Sequence, residues 1–266
     1  MSHSASTPLT LWAFAATIAC ATAMADDLKN EFAPTGTLRA AVNFGNIVIA
    51  QKDPAGGDPR GVGPDLAREL ARRLGVPIRY VIYDNAGKVA DAVKDGAWDV
   101  AFLAEDPRRA GEIAFSAPYV LIEGTYLVRK DSPLKRLDDF DRAGIRIAAG
   151  KGTAYDLYLA RTLKNAERVQ TDTSEAAVEL FRKEQRMDAA AGVRNFLATA
   201  ARKDPGLRVI DESYMVIGQA SGVPKARANA ARYLAGFIEE AKASGFVARA
   251  LAASGVTDVT VAPPAR

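Results

Sequence analysis

The chain has 266 residues, 48% of them hydrophobic and 25% charged, with 35 Lys and Arg against 32 Asp and Glu and a net charge of +3. That is an ordinary globular composition, and no basic block or aromatic-basic stripe is present to hold nucleic acid. The single Cys (Cys20) and the single His (His3) both precede Asp26.

Leu9 to Ala23 is apolar and uncharged, and too short for a typical transmembrane helix. Ala23-Met24-Ala25 followed by Asp26-Asp27 reads as a secretory signal peptide over 1–25, cut after Ala25, although its n-region "MSHSASTP" carries no Lys or Arg. Cys20 raises a lipid anchor as the alternative, but the preceding "TIA" lacks the usual leucine. A mature chain beginning at Asp26 has neither Cys nor His. Disulfides, thiol catalysis, histidine bases and His- or Cys-ligated metals are thereby excluded, and no cofactor or metal is expected. Catalysis would have to rest on carboxylates, Lys, Tyr, Ser or Thr. The remaining length, roughly 240 residues, predicts two lobes.

In chain order, "TLRAAV" (37–42) reads as a strand and "KDPAGGDPRGVG" (52–63) as a turn-rich connection without the Gly-Lys-Ser/Thr of a phosphate loop. "PDLARELARRLG" (64–75) sets Leu66, Leu70 and Leu74 on one helical face, with Pro64 in a first turn and Gly75 as a stop. "IRYVIY" (78–83) is a strand, 86–96 a helix and "WDVAFL" (98–103) a strand. The β-α-β-α-β order predicts a parallel sheet covered by helices. A second set follows: strand 145–150, helix 153–165, a short strand near 168–170, helix 174–184, strand 187–192, helix 195–203 and strand 207–210. Helices over 226–245 and 246–255 end the chain, with "VTVAPPAR" as a loose tail. "DAVKDGAWDVAF" and "ELFRKEQRMDAAA" echo each other, each running a helix through a turn into Asp-x-Ala at Asp99 and Asp188. Segments near 125–130 and 214–220 are the expected crossings of a two-strand hinge. The predicted lobes are 26–128 with a return over 221–266, and 129–220. Ligands bind between such α/β lobes at strand C-terminal ends.

"AFLAEDPRRAGEIAFSAPY" (101–119) sets Arg108 and Arg109 one turn beyond a core strand. A guanidinium aimed into the cleft would grip a planar anion by its rigid fork. "GKGTAYD" (150–156) places Thr153 as an N-cap, and free N–H groups at that helix start would also hold an anion.

Together, "GTLRAAV", "GVGPDLARELARRLGV", "VKDGAWDVAF", "DPRRAGEIAFSAPY", "GTYLVRKDSPLKRLDDF", "IRIAAGKGTAYD" and "MDAAA" resemble the family 3 extracellular solute-binding proteins over roughly residues 36–255. These are the periplasmic polar amino acid receptors of bacterial ABC importers. The resemblance implies an α/β, two-lobed type II periplasmic binding protein fold with a ligand cleft. It further implies a monomeric, non-catalytic receptor that closes on a small carboxylated solute and meets an importer permease. Counting back from Phe115, the family's carboxylate-binding arginine falls on Arg109, while Arg108 reads as surface. Thr153, Gly152 and Lys151 then clasp the same carboxylate from the other lobe. The sequence also departs from the family pattern. A usual hydroxyl residue is Ala104, and a usual Thr is Asp106. A stacking aromatic is replaced by Asn46, with Phe44 as a substitute. The aspartate for the ligand ammonium is replaced by Val193, followed by Arg194. Either Glu105 or Asp106 supplies the missing acid, or the ligand carries no ammonium and Arg194 meets a second carboxylate or stays on the surface.

Two other functions stay open. Relatives of this fold include cyclohexadienyl (prephenate or arogenate) dehydratases, which need a carboxylic acid in the cleft, for which Glu105 or Glu123 would serve. A sensory ligand-binding module is the third reading, disfavoured by the lack of a fused signalling segment.

Overall fold

The structure is a computed structural model that describes residues 27–265; the signal segment, His3 and Cys20 lie outside them. The first unit runs β1 (Leu38–Asn43), α1 (Val62–Leu74), β2 (Ile78–Tyr83), α2 (Ala86–Asp91) and β3 (Val100–Ala104). The short β4 (Ile113–Phe115) and the long β5 (Val120–Arg129) lead out of it. The second unit runs β6 (Arg146–Gly150), α3 (Ala154–Thr162), β7 (Glu167–Thr171), α4 (Ser174–Lys183), β8 (Ala189–Val193), α5 (Arg194–Lys203) and β9 (Leu207–Val209). A second long strand, β10 (Met215–Pro224), returns the chain to α6 (Ala228–Ala243), α7 (Phe246–Ala253) and β11 (Thr260–Val261).

The strands join in the order β2-β1-β3-β10-β5-β8-β6-β7. Each unit therefore repeats one pattern, an outer strand beside the first strand beside the third, all parallel. The two antiparallel long strands stand between the units as the hinge of the two-lobed type II binding-protein fold. Val120 to Gly124 of β5 pairs with Gln219 to Met215 of β10. Gly124–Leu127 pairs with β8, which puts these residues with the second unit, ahead of the expected 128/129 boundary. From Gln219 onward β10 pairs with β3 of the first unit.

Local chemistry accounts for the elements. Leu66 and Leu70 of α1 are fully buried against the sheet, and Gly75 ends the helix at φ 64, a left-handed conformation that glycine adopts without steric cost. Thr153 and Thr173 cap α3 and α4, accepting from the amides of Asp156 and Ala176. The Asp-x-Ala echo is the same brace made twice. Asp99 Oδ2 accepts from Arg39 N at 2.9 Å and Asp188 Oδ2 from Arg146 N at 2.8 Å, each tying the third strand of its unit to the first. The tail is not loose: β11 pairs with Leu121 and Val120 of the hinge, and Ala262 is buried. Its alternating small apolar residues satisfy an otherwise open strand edge there.

Candidate functional site

Six strand ends converge between the units. Asn43, Asn85 and Ala104 stand at the ends of β1, β2 and β3; Thr153, Ser174 and Val193 stand at the ends of β6, β7 and β8. With Asn46, and with Ile217 and Gln219 of β10, they line a cavity of about 30 Å³. Ligands of open α/β sheets bind at such strand ends. A space of this size holds a water or two, so an organic solute enters only when the lobes part.

The cavity wall mixes apolar side chains with amides and hydroxyls and carries no carboxylate. Asn43 and Gln219 are each 3% exposed, and neither side chain makes a hydrogen bond to another described residue. The Tyr155 hydroxyl lies 2.7 Å from Ser174 Oγ. Asn46 Oδ1 accepts from Val48 N at 3.2 Å. Thr153 Oγ1 donates to Gly150 O at 2.8 Å and accepts from Asp156 N, so its hydroxyl serves the cap. The first two amides of α3, those of Ala154 and Tyr155, donate to no other described residue. A helix start with free N–H groups facing a cavity favours an anion.

Arg109 comes from the turn after β3 and is 5% exposed. Its Nη1 donates to Ala104 O at 2.6 Å and its Nη2 to Gly152 O at 2.7 Å, the second bond crossing from one lobe to the other. Nε is buried without a partner, and no described acid lies within ion-pair distance of the guanidinium, although Asp106 and Asp91 favour its charge from farther off. Burial pulls its pKa down to about 10, so it remains a cation at neutral pH. Arg109 and Gly152 line not this cavity but an outer groove of about 600 Å³, with Arg108, Lys94 and Lys151; Arg109 meets the cavity wall through its bond to Ala104 O. The groove is the larger space, but its cations alternate with Asp91, Glu112, Asp156 and Asp172. Only the inner cavity gathers the strand ends, and we assign the site there.

Other bonds close the lobes without any solute. Asn85 Oδ1 caps α2 through Gly87 N, while its Nδ2 donates to Asp172 O of the second unit at 3.0 Å. Arg161 Nη1 meets Asp106 Oδ2 at 3.0 Å across the cleft. A half-exposed pair of this kind contributes about 0.5–1 kcal/mol. Arg161→Ala is therefore expected to weaken solute affinity by about two- to fivefold, because it loosens the closed form alone. Titration calorimetry at low and at high salt checks this, since the wild-type advantage shrinks as salt screens the pair.

Several residues singled out in the sequence lie elsewhere. Phe44 does not line the cavity; its ring lies beneath Lys52 and faces the groove beside Ile82 on the outer strand edge. Glu105 is exposed, its Oε1 against the hinge at Gly218 beside Pro118, turned away because β3 alternates its faces. Asp106 is committed to Arg161 and to Arg108 N. Lys151 sits in the groove, exposed. Arg194 does not reach the cleft. It binds Glu123 Oε2 at 2.6 Å, the carbonyls of Ile210 and Asp211, and Ser213 Oγ, fastening α5 to the hinge. Glu123 is engaged by the same cluster. Conversely, sequence reasoning passed over Asn43, Asn85, Ser174 and Gln219. Their positions just after strands, or on a crossing strand, were the available signal.

The sequence profile of the bacterial extracellular solute-binding proteins, family 3, matches residues 48–253. Among solved structures, a mutant of the arginine-binding protein from T. maritima superposes with a TM-score of 0.74 at 22% identity, covering 86% of this chain and 100% of that one. An amino acid ABC transporter substrate-binding protein from Streptococcus pneumoniae, bound to L-arginine, gives 0.71 at 20% identity, covering 84% and 98%. An ancestral amino acid-binding protein described as a precursor of cyclohexadienyl dehydratase gives 0.70 at 22% identity, covering 85% and 98%. At these identities the likeness is one of fold, and the profile match carries the assignment: the chain belongs to the bacterial extracellular solute-binding proteins, family 3.

Proposed function

We propose that this protein captures a small carboxylate-bearing solute, an amino acid or close analogue, in the periplasm and presents it to the permease of an ABC importer. The observation that carries the reading is the buried Arg109 guanidinium, without a directly paired acid, spanning Ala104 O and Gly152 O beside the free amides of α3. A buried cation without an anion is costly, and a solute carboxylate supplies the anion from between the lobes. Because the contacts come from both lobes, the solute stabilises the closed form over the open one. Closure is then the state the permease reads. The family membership and the importer component from Streptococcus pneumoniae support that role.

The dehydratase reading weighs less. It needs an acid at the reacting bond, and Glu105 and Glu123 line neither the cavity nor the groove.

A thermal-shift screen of the chain from Asp26, unfolded and refolded to strip carried-over solute, tests the proposal. The panel holds amino acids, their 2-oxo and 2-hydroxy analogues, and dicarboxylates. A solute at about a hundred times its dissociation constant adds about 2.7 kcal/mol, and each kcal/mol moves the midpoint by about 2–4 °C at this size. A clear rise with one carboxylate class supports the proposal. No rise with any carboxylate sinks it.

A further inference from the structure

The charges around the cavity specify the solute further than its carboxylate. Arg109 brings one positive charge, and a bound carboxylate neutralises it. A solute ammonium would then leave one positive charge enclosed without an anion. The acids nearest the site do not supply one. Asp156 is held by Gly152 N, Gln170 Nε2 and Arg168. Asp106 is bound to Arg161, Glu105 lies outside against the hinge, and Asp91, which acts on Arg109, lines the outer groove and not the cavity. At the end of β8 the wall is Val193, 7% exposed, an apolar side chain that offers no acceptor. The uncommitted polar side chains facing the cavity are instead the neutral amides of Asn43 and Gln219, both nine-tenths buried or more. An amide pairs fully with a ketone or hydroxyl oxygen, whereas it leaves an ammonium charge uncompensated.

We infer that the cavity selects carboxylates without an ammonium group, the 2-oxo and 2-hydroxy acids, with Asn43 and Gln219 reading the neutral oxygen and Val193 rejecting the cation. This rests on the proposal that the cavity beside Arg109 is a carboxylate receptor.

The test is calorimetric titration of the refolded protein with matched sets, beginning with pyruvate, L-lactate and L-alanine because the cavity is small. Longer sets of the same design follow. The 2-oxo or 2-hydroxy member should bind about tenfold or more tightly than its amino acid. Val193→Asp places an acid in the wall and should reverse the order, while Val193→Asn, of similar shape and no charge, should not. Melting temperatures of the solute-free variants confirm that each is folded. If Val193→Asp does not fold, the wild-type ratio decides by itself. An amino acid that binds as tightly as its analogues, through a signal abolished by Arg109→Ala, overturns this inference and leaves the receptor proposal standing. Binding by none of the acids in any set overturns the receptor proposal and this inference with it.

Discussion

Replacing Arg109 with alanine is expected to remove most carboxylate binding, raising the dissociation constant at least about thirtyfold. Losing the cation from a desolvated, hydrogen-bonded charge pair costs about 2–5 kcal/mol, and each 1.4 kcal/mol is a factor of ten. The guanidinium is 5% exposed, and its bond to Gly152 O spans the lobes, so the substitution loses a solute contact and a closing contact at once. The fold itself should tolerate the change. Two bonds to carbonyls disappear, but so does a buried cation that lacks an acid, and these opposing effects leave the solute-free stability within ~1–2 kcal/mol of wild type. Arg109→Lys keeps the charge and loses the fork, so intermediate affinity is expected. Titration calorimetry beside solute-free melting curves separates the two consequences. A large loss of solute-free stability with unchanged affinity would make Arg109 a structural brace.

The second large effect is on stability. Asp99 is fully buried and accepts from Arg39 N, from the Arg39 guanidinium through both oxygens, and from Arg227. Asp99→Asn strands both arginines. Their guanidinium groups keep an edge in water, so the cost sits near the low end for a broken buried pair, about 3 kcal/mol. That corresponds to roughly 6–12 °C in melting temperature. Asp188→Asn, at the matching brace of the second lobe, is the control. Asp188 accepts only from Arg146 N and makes no ion pair among the described residues, so about 1 kcal/mol or less is expected.

The pH dependence follows from the same group. Burial alone would raise the Asp99 pKa, but the bonds from Arg39 and Arg227 outweigh it and hold the carboxyl below its ordinary value. A depressed folded pKa gives stability that is complete above the unfolded value, about 3.9, and is lost as pH falls through the folded one. Wild-type melting temperature should therefore fall steeply below about pH 4, and the Asp99→Asn difference should narrow over the same interval. A difference that stays constant into acid would mean that Asp99 is not the charged partner of the two arginines.

The repeated α/β pattern was legible because each unit buries parallel strands between helices. Apolar periodicity, the stop at Gly75 and the cap at Thr153 then mark most elements. The echoed Asp-x-Ala was legible too, and its meaning is a brace from the third strand to the first. The hinge was harder to bound. "VLIEGTYLVR" runs without a break from one lobe into the next, since hydrogen bonding changes partner at Gly124 while the side-chain pattern does not change. In the site, the Thr153 cap could be read from its local pattern, whereas the choice of Arg109 over Arg108 came from the family resemblance. Asn43, Asn85 and Gln219 could not, since a lone amide beside a turn looks like any turn residue. Arg194 stayed undecided between cleft and surface because its partner Glu123 lies far away in sequence and meets it only across the folded hinge.

The most direct measurement is a crystal structure of the refolded protein with its tightest-binding carboxylate. The expected result has the carboxylate between the lobes, within hydrogen-bond distance of the Arg109 guanidinium and of the Ala154 and Tyr155 amides. Its chain should be flanked by Asn43, Gln219 and Val193. An acid seated instead in the outer groove among Lys94, Arg108 and Lys151, with Arg109 still holding the carbonyls of Ala104 and Gly152, would contradict the account.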